Sequence, residues 1–371
     1  MSLISPTDSQ ETHFSSNAHT PNPNLGAFAH DKSTEFEIPS RHPDLYFVDG
    51  SIVLLCGHQY FLVHHSLLSF YSPVLKQMVD TSIKDGTGQV MEGRPTVRVQ
   101  QAPDDMLIFL KAIYGYGLIK LKDMTSFSAI SVILKLASTY EAVTIRNKIM
   151  PLLQDSWPST LAQWELREKN ATDVDGVYAP RSSMAHPILI IELARQIDAP
   201  ELLPSAFYDL SRFLPSQLSA GYTDHDTGSV HYLSHDDLFR VFRGKEQAAR
   251  YFSTFIVKEL EGRTPSEFCH NRNELPPARK RRCQVAYEAV TYALIRDVNG
   301  LVMNRNSDPL YAISDSLLMQ TRDDMPGTDN HSTVRACEAC RLEYAAVVEA
   351  IREEFWRRLP EWFELEVPSW N

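Results

Sequence analysis

The chain has 371 residues, more than one compact core usually organises, so two folded units are expected. A formal net charge of −11 argues against nucleic acid as a partner, because a duplex repels an acidic surface. No apolar run approaches the roughly 18–20 residues that cross a bilayer, and the opening MSLISPTDSQ has neither the basic nor the apolar segment of a secretory signal. The expectation is an intracellular protein, cytoplasmic, nuclear or both, whose five cysteines stay reduced or hold metal.

Residues 1–40 are rich in Ser, Thr, Asn and Pro, with Leu25, Phe28 and Phe36 as isolated apolar side chains. Such a segment buries too little surface to offset chain entropy, so a disordered tail is expected there, with order beginning near Pro43. Residues 51–56 (SIVLLC) read as a buried strand and residues 60–63 as its partner, around a turn at Gly57-His58. Ser72-Pro73 pairs a hydroxyl N-cap with proline at the first helical position, and Val74, Met78 and Val79 supply the buried stripe of that helix. A polar loop over residues 80–93 leads to a third strand at 95–99. Pro103-Asp104-Asp105 then opens a helix with apolar Met106, Phe109, Leu110 and Ile113 at helical spacing.

Two later segments echo one another. Ile133, Leu136, Ala137 and Tyr140 recur in type and spacing as Ile190, Leu193, Ala194 and Ile197, fifty-seven positions on, each followed by a second helical run (142–153 and 201–214). Both read as helical hairpins. The polar stretch from 154 to 186 between them reads as a linker or long loop. Further helices are expected at 236–243, 247–260, 284–297 and 335–359. The last has Leu342, Ala345, Val348, Ile351, Phe355 and Leu359 on one face and Pro360 as its stop.

The strings DGSIVLLCGHQYFLVH (49–64) and HSLLSFYSPVLKQM (65–78) carry Asp49, His64, Leu67, Leu68, Ser72, Pro73 and Met78 in an order that resembles the BTB/POZ family. The strand and helix at 96–114 continue the likeness, which covers about residues 43–150. Fungal members of that family also resemble this chain in the Asp-Gly-Ser-Ile-Val start and in a tryptophan-ended tail, here FWRRLPEWF (355–363) closing at Trp370. The resemblance implies an α+β (mixed α/β) BTB/POZ-like domain over 41–150, followed after the linker (151–186) by a mainly α-helical domain over 187–371. It implies a non-enzymatic adaptor whose partners are other proteins, a second copy of itself, or a cullin-type ubiquitin ligase scaffold.

The family's cullin motif is a hydrophobic-x-Glu in the loop after the Ser-Pro helix; this chain offers Ile83-Lys84-Asp85 there, with the shorter Asp in place of Glu. Transcription-regulating members pair the Asp49 position with an arginine after the His64 position. Here His65 takes that place, and a neutral imidazole is a poor substitute for a guanidinium. The implied interaction residues are therefore Asp49, His64, His65, Met78, Ile83 and Asp85.

Cys337-x-x-Cys340 has the spacing of half a structural zinc site. Cys269, with or without His270, and Cys283 could supply the other half and tie two helices together through a closed tetrahedral zinc; the alternative is four unlinked thiols. Cys56, inside a strand, reads as core. His225, His231 and His235, among acidic residues, fit no ligand spacing and read as loop histidines. The run Arg279-Lys280-Arg281-Arg282 resembles a nuclear-import signal, which keeps a nuclear transcription regulator as an alternative function; a metal-dependent enzyme using the cysteine and histidine positions is a more remote one.

Overall fold

Burial of both faces of its central strands organises the N-terminal sheet of the computed structural model, which describes residues 38–84, 89–115, 127–172, 184–224, 227–273, 280–296, 307–320 and 335–370. Strands β2 (Ile52–Cys56) and β3 (Gln59–Val63) form an antiparallel hairpin with Ile52 opposite Val63 and Cys56 opposite Gln59. Gly57 takes a φ of +57° in the two-residue turn, a conformation that glycine adopts without penalty. Successive side chains point to opposite faces. Ile52, Leu54, Cys56, Phe61 and Val63 join the main core, while Val53, Leu55, Tyr60 and Leu62 form a second small cluster on the other face. Both strands are therefore apolar throughout, as the sequence had suggested.

β5 (Arg94–Val99) lies parallel to β2, with Leu54 opposite Val97, and β4 (Val90–Met91) closes that edge. The other edge is β1 (Ser40–Tyr46), parallel to β3, giving the order β1-β3-β2-β5-β4. Neither edge strand was expected. In β1 a register shift between Arg41 and Tyr46 breaks the two-residue alternation, and only His42 and Leu45 turn inward. Ser40 thus begins a strand rather than ending a tail; residues 1–37 of that expected tail lie outside the described residues.

Helices α1 (His65–Tyr71), α2 (Pro73–Lys84) and α3 (Pro103–Ile113) cover the sheet. Ser72 caps α2 as anticipated: its Oγ accepts the Leu75 N–H at 3.0 Å and donates to the Tyr140 carbonyl. Leu75 and Val79 form the buried stripe of α2, with Val74 and Met78 only half-buried beside them. Helix α3 buries Met106, Phe109, Leu110 and Ile113, all four of the expected positions.

The two echoing segments are the hairpins α4 (Phe127–Thr139) with α5 (Val143–Gln154), and α7 (Pro187–Gln196) with α8 (Leu203–Ser211). The echo extends into their turns. Glu141 and Asp198, again fifty-seven apart, both have φ near +50°, and the amides of Ala142 and Ala199 close back on Ala137 and Ala194. Arg146 on α5 donates to the carbonyls of Ile197 and Asp198, fastening one hairpin to the other. Pro39–Asn371 forms one compact unit, and its core runs from Leu45 to Leu365.

The stretch read as a linker holds a helix, α6 (Leu161–Asn170), which is mostly polar and turns Trp164 and Arg167 inward. Residues 173–183 of that stretch lie outside the described residues. A short α9 (Pro215–Ala220) and a two-residue β6–β7 hairpin (Tyr222–Thr223 with Val230–His231) follow α8. α10 (His235–Phe255) is continuous where a break was expected, and it runs on as a π-helical turn over Ile256–Leu260. The expected gap covered residues 244–246, and Gly244 there makes room for the Phe363 ring, which a Cβ would overlap at 1.9 Å. Then come α11 (Arg282–Arg296), α12 (Pro309–Leu318), α13 (Glu338–Arg357) and α14 (Leu359–Trp362). Pro360 lies in the first turn of α14 rather than stopping a helix. The inward face of α13 is carried by Cys340, Tyr344, Val348 and Phe355, while Leu342 is exposed. No helix among the described residues is long and apolar enough to cross a membrane.

α6 joins a buried ionic network. Arg167 pairs with Asp209 at 2.8 Å and Glu168 at 2.9 Å, and Arg212 pairs with Asp308 at 2.7 Å, Glu168 at 2.9 Å and Asp209. Trp164 stacks beneath both guanidinium groups, and Tyr208 donates to Asp308 at 2.7 Å. Removing one partner of such a network strands buried charge. Arg212→Ala is therefore expected to lower unfolding free energy by about 3–5 kcal/mol, as read by equilibrium denaturation.

Candidate functional site

The surface of the N-terminal domain is organised around His64, the residue that precedes α1. The Tyr114 hydroxyl, from the end of α3, lies 2.9 Å from both the His64 backbone N–H and its Nδ1, and Phe47 stacks on Tyr114 with ring centroids 4.7 Å apart. On its other side His64 Nε2 meets Asp49 Oδ2 at 3.3 Å. His64 draws the Asp49 carboxyl below its ordinary range, through the hydrogen bond first. His64 is thus fully engaged in joining the end of β3 to α3 and to the loop after β1. That arrangement is structural, and it leaves the Asp49 side chain 84% exposed on the rim.

The pairing that transcription-regulating members make between the Asp49 position and the position after the histidine, for which His65 is a poor substitute, is absent between Asp49 and His65. His65 faces away from Asp49, with Nε2 3.5 Å from Asp80 Oδ1 on α2 and its backbone N–H donated to Ser51 Oγ. Met78 is half-buried against the core and so anchors α2 more than it offers a contact. Ile83 and Lys84 lie in the last turn of α2, not in the loop after it, with Ile83 half exposed; Asp85 lies outside the described residues. The exposed apolar side chains of this domain include Phe70 on α1, 76% accessible, and Val48 beside Asp49.

A second cluster was not foreseen. Glu92, in the β4–β5 turn, accepts hydrogen bonds from the Tyr46 and Tyr60 hydroxyls and from Arg41, so it ties β1 across the sheet to the β4–β5 hairpin. The Tyr46 hydroxyl, then Tyr60 and Arg41, hold its carboxyl down to about 2. Its partners lie up to 51 residues away, and nothing local marks them.

In the helical region the four cysteines named from the sequence converge. Their Sγ atoms all lie within 4.8 Å of one another, with Cys269–Cys283 at 3.6 Å and Cys269–Cys337 at 3.8 Å. Cys337 caps α13, Cys340 sits in its first turn, Cys283 opens α11, and Cys269 belongs to the turn after the π-helical segment. Burial raises the Cys340 and Cys283 thiols. Burial acts the same way on Cys337, but amides of Cys340 and His270 outweigh it and bring that thiol down to about 6. His270 contributes its backbone here. Cys56 is core, as expected.

The remaining candidates stay apart. His231 turns to Glu192 at 2.9 Å, His235 is exposed at the start of α10, and His225 lies outside the described residues. Lys280, Arg281 and Arg282 are exposed at the start of α11, with Arg279 outside the described residues.

The Glu92 cluster gives a pH prediction. Its carboxyl is depressed in the folded chain, so its contribution is complete above the ordinary value of 4.5 and is lost as pH falls toward about 2. Glu92→Gln should flatten the pH dependence of stability across that window, as followed by urea midpoints from pH 5 down to about 2.

The domain assembled around His64 is a small mixed sheet under helices, with a Ser-Pro-capped helix and an Asp–His pair at its rim. The family model described as BTB/POZ domain matches residues 47–156. No curated protein matches the chain. The helical region beyond residue 156 lies outside the family match, and residues 47–156 are a BTB/POZ domain, a protein-interaction module.

Proposed function

We propose that this chain is a non-enzymatic adaptor inside the cell, which pairs with a second copy of itself through its BTB/POZ domain and holds another protein on its helical region. The observation that carries this reading is Phe70. It stands 76% exposed on α1, while Leu68, two residues earlier, is fully buried. An aromatic side chain covers roughly 150–250 Å² on burial. At about 25 cal/mol per Å² its removal from water favours association. Aromatic side chains of this kind commonly anchor protein interfaces.

Light scattering coupled to size exclusion should give a mass near twice 42.2 kDa at micromolar concentration. Phe70→Asp should weaken the dimer by about thirty-fold, equivalent to about 2 kcal/mol at a central contact. A monomer at every accessible concentration would remove self-association from this reading.

A second reading, recruitment of a cullin-type scaffold, is favoured by Ile83, which is 51% exposed at the end of α2. Purified chain mixed with a cullin N-terminal domain should then form a complex that Ile83→Asp abolishes. If the unmodified chain forms none, the scaffold reading ends while self-association still stands.

A further inference from the structure

Four thiols drawn from three separate stretches meet at one point in the helical region. Cys269 and Cys283 are 14 residues apart, and Cys283 and Cys337 are 54 apart. Their convergence is a product of the fold and not of local sequence. A thiolate tetrahedron around zinc, with Zn–S near 2.3 Å, has edges of about 3.8 Å. The two Sγ–Sγ distances of 3.6 and 3.8 Å fall on that edge length, and all others are within 4.8 Å. A disulfide requires sulfurs about 2.0 Å apart, so these pairs are spaced for a shared cation rather than for a covalent bond.

N–H donors are aimed at the sulfurs, an arrangement that suits thiolates sharing a cation. The Ser266 N–H points at Cys340 Sγ at 3.3 Å. Cys337 N–H and Asn271 Nδ2 each lie 3.2 Å from Cys283 Sγ. Donors of this kind, together with the amino end of the 20-residue helix α13, stabilise thiolates. Four thiolates on a divalent cation leave two net negative charges. Ser266, whose N–H meets Cys340 Sγ, lines a cavity together with Arg272, Lys280 and Arg281. Three of the four cysteines are buried, which suits a closed site that water does not reach.

We propose that Cys269, Cys283, Cys337 and Cys340 bind one zinc ion in a closed, four-sulfur structural site that clasps the turn after α10, the start of α11 and the start of α13. All four positions come from protein, so the ion has no open coordination site and its role is to hold chain segments together rather than to activate a substrate. Thiolates also suit iron. Zinc is the assignment because the four-sulfur set with a Cys-x-x-Cys half fits a structural site at one metal per chain. The inference does not depend on the adaptor reading, since it concerns residues outside the BTB/POZ domain.

The test uses the full chain purified without chelator, with metal measured by plasma mass spectrometry. About one equivalent of zinc per chain is expected. A strong chelator should remove it and lower the melting temperature, and zinc alone should restore both. Because Cys283→Ser or Cys340→Ser could unfold the chain, a second measurement uses the unmodified sequence. Cobalt(II) added to the stripped protein should give the intense visible bands of a tetrahedral thiolate site. Cys337→Ser, at the least buried ligand, should weaken zinc retention at least about tenfold against a chromophoric chelator. Zinc below about a tenth of an equivalent with a melting temperature indifferent to chelator, a visible iron chromophore in its place, or full zinc retention in Cys337→Ser would each overturn the assignment.

Discussion

The structure depends on the burial of the α4–α5 hairpin from two sides. On one side Ile133, Ala137 and Tyr140 pack in the same core as Phe109 of α3 and the sheet residues Leu54 and Phe61. On the other, Arg146 reaches the turn after α7, and the apolar face of α7 supplies Ile190, Leu193 and Ala194 to that core. A helix pair that is apolar on both sides cannot leave either face in water without a cost of several kcal/mol. The BTB/POZ domain therefore ends in a hairpin that also serves as the first layer of the helical region. For an adaptor this has a direct consequence, because surfaces on the two parts of one packed body keep a fixed geometry between whatever they hold.

Polar interactions secure the far end of the chain once apolar packing has brought it into place. The Trp356 indole N–H donates to the Ser159 carbonyl, 197 residues away, and Trp370 donates to the Trp356 carbonyl in turn. Beside them, Arg167 and Arg212 are buried with Asp209, Glu168 and Asp308 around the Trp164 ring. Such a network adds little net stability over a well-packed apolar core, yet it admits few alternative arrangements. The cysteine cluster lies in the same helical region, at the start of α13. The tryptophan bonds and the cysteine cluster draw remote segments onto α13, while the ionic network joins α6, α8 and the start of α12.

Where local pattern and final environment agree, the sequence was readable. SIVLLC and YFLV are apolar on both faces because both faces of β2 and β3 are covered. Ser72-Pro73 is a cap whose geometry is self-contained. The hairpin echo was visible because Ile133 and Ile190 serve the same packing role. Where tertiary contacts decide, it was not. α6 reads as linker because one of its inward residues is an arginine that only distant carboxylates neutralise. The stretch 244–246 was left between two helices because the Phe363 ring that needs the space at Gly244 is far along the chain. β1 escapes detection because its register shift erases the alternation that marks a strand. Among the interaction residues, Asp49 and His64 were identifiable by likeness, but that Asp49 would turn to His64 and not His65 depends on where α3 brings Tyr114. The four cysteines were nameable as a set, while their meeting point depends on the packing of α11 against its neighbours.

The claim that the BTB/POZ domain and the helical region share one core is tested most directly by differential scanning calorimetry of the whole chain. A shared core predicts a single reversible transition whose calorimetric enthalpy equals the van't Hoff enthalpy. Two resolved transitions, with the lower one leaving residues 47–156 folded, would show that the α4–α7 packing does not couple them and would contradict the account.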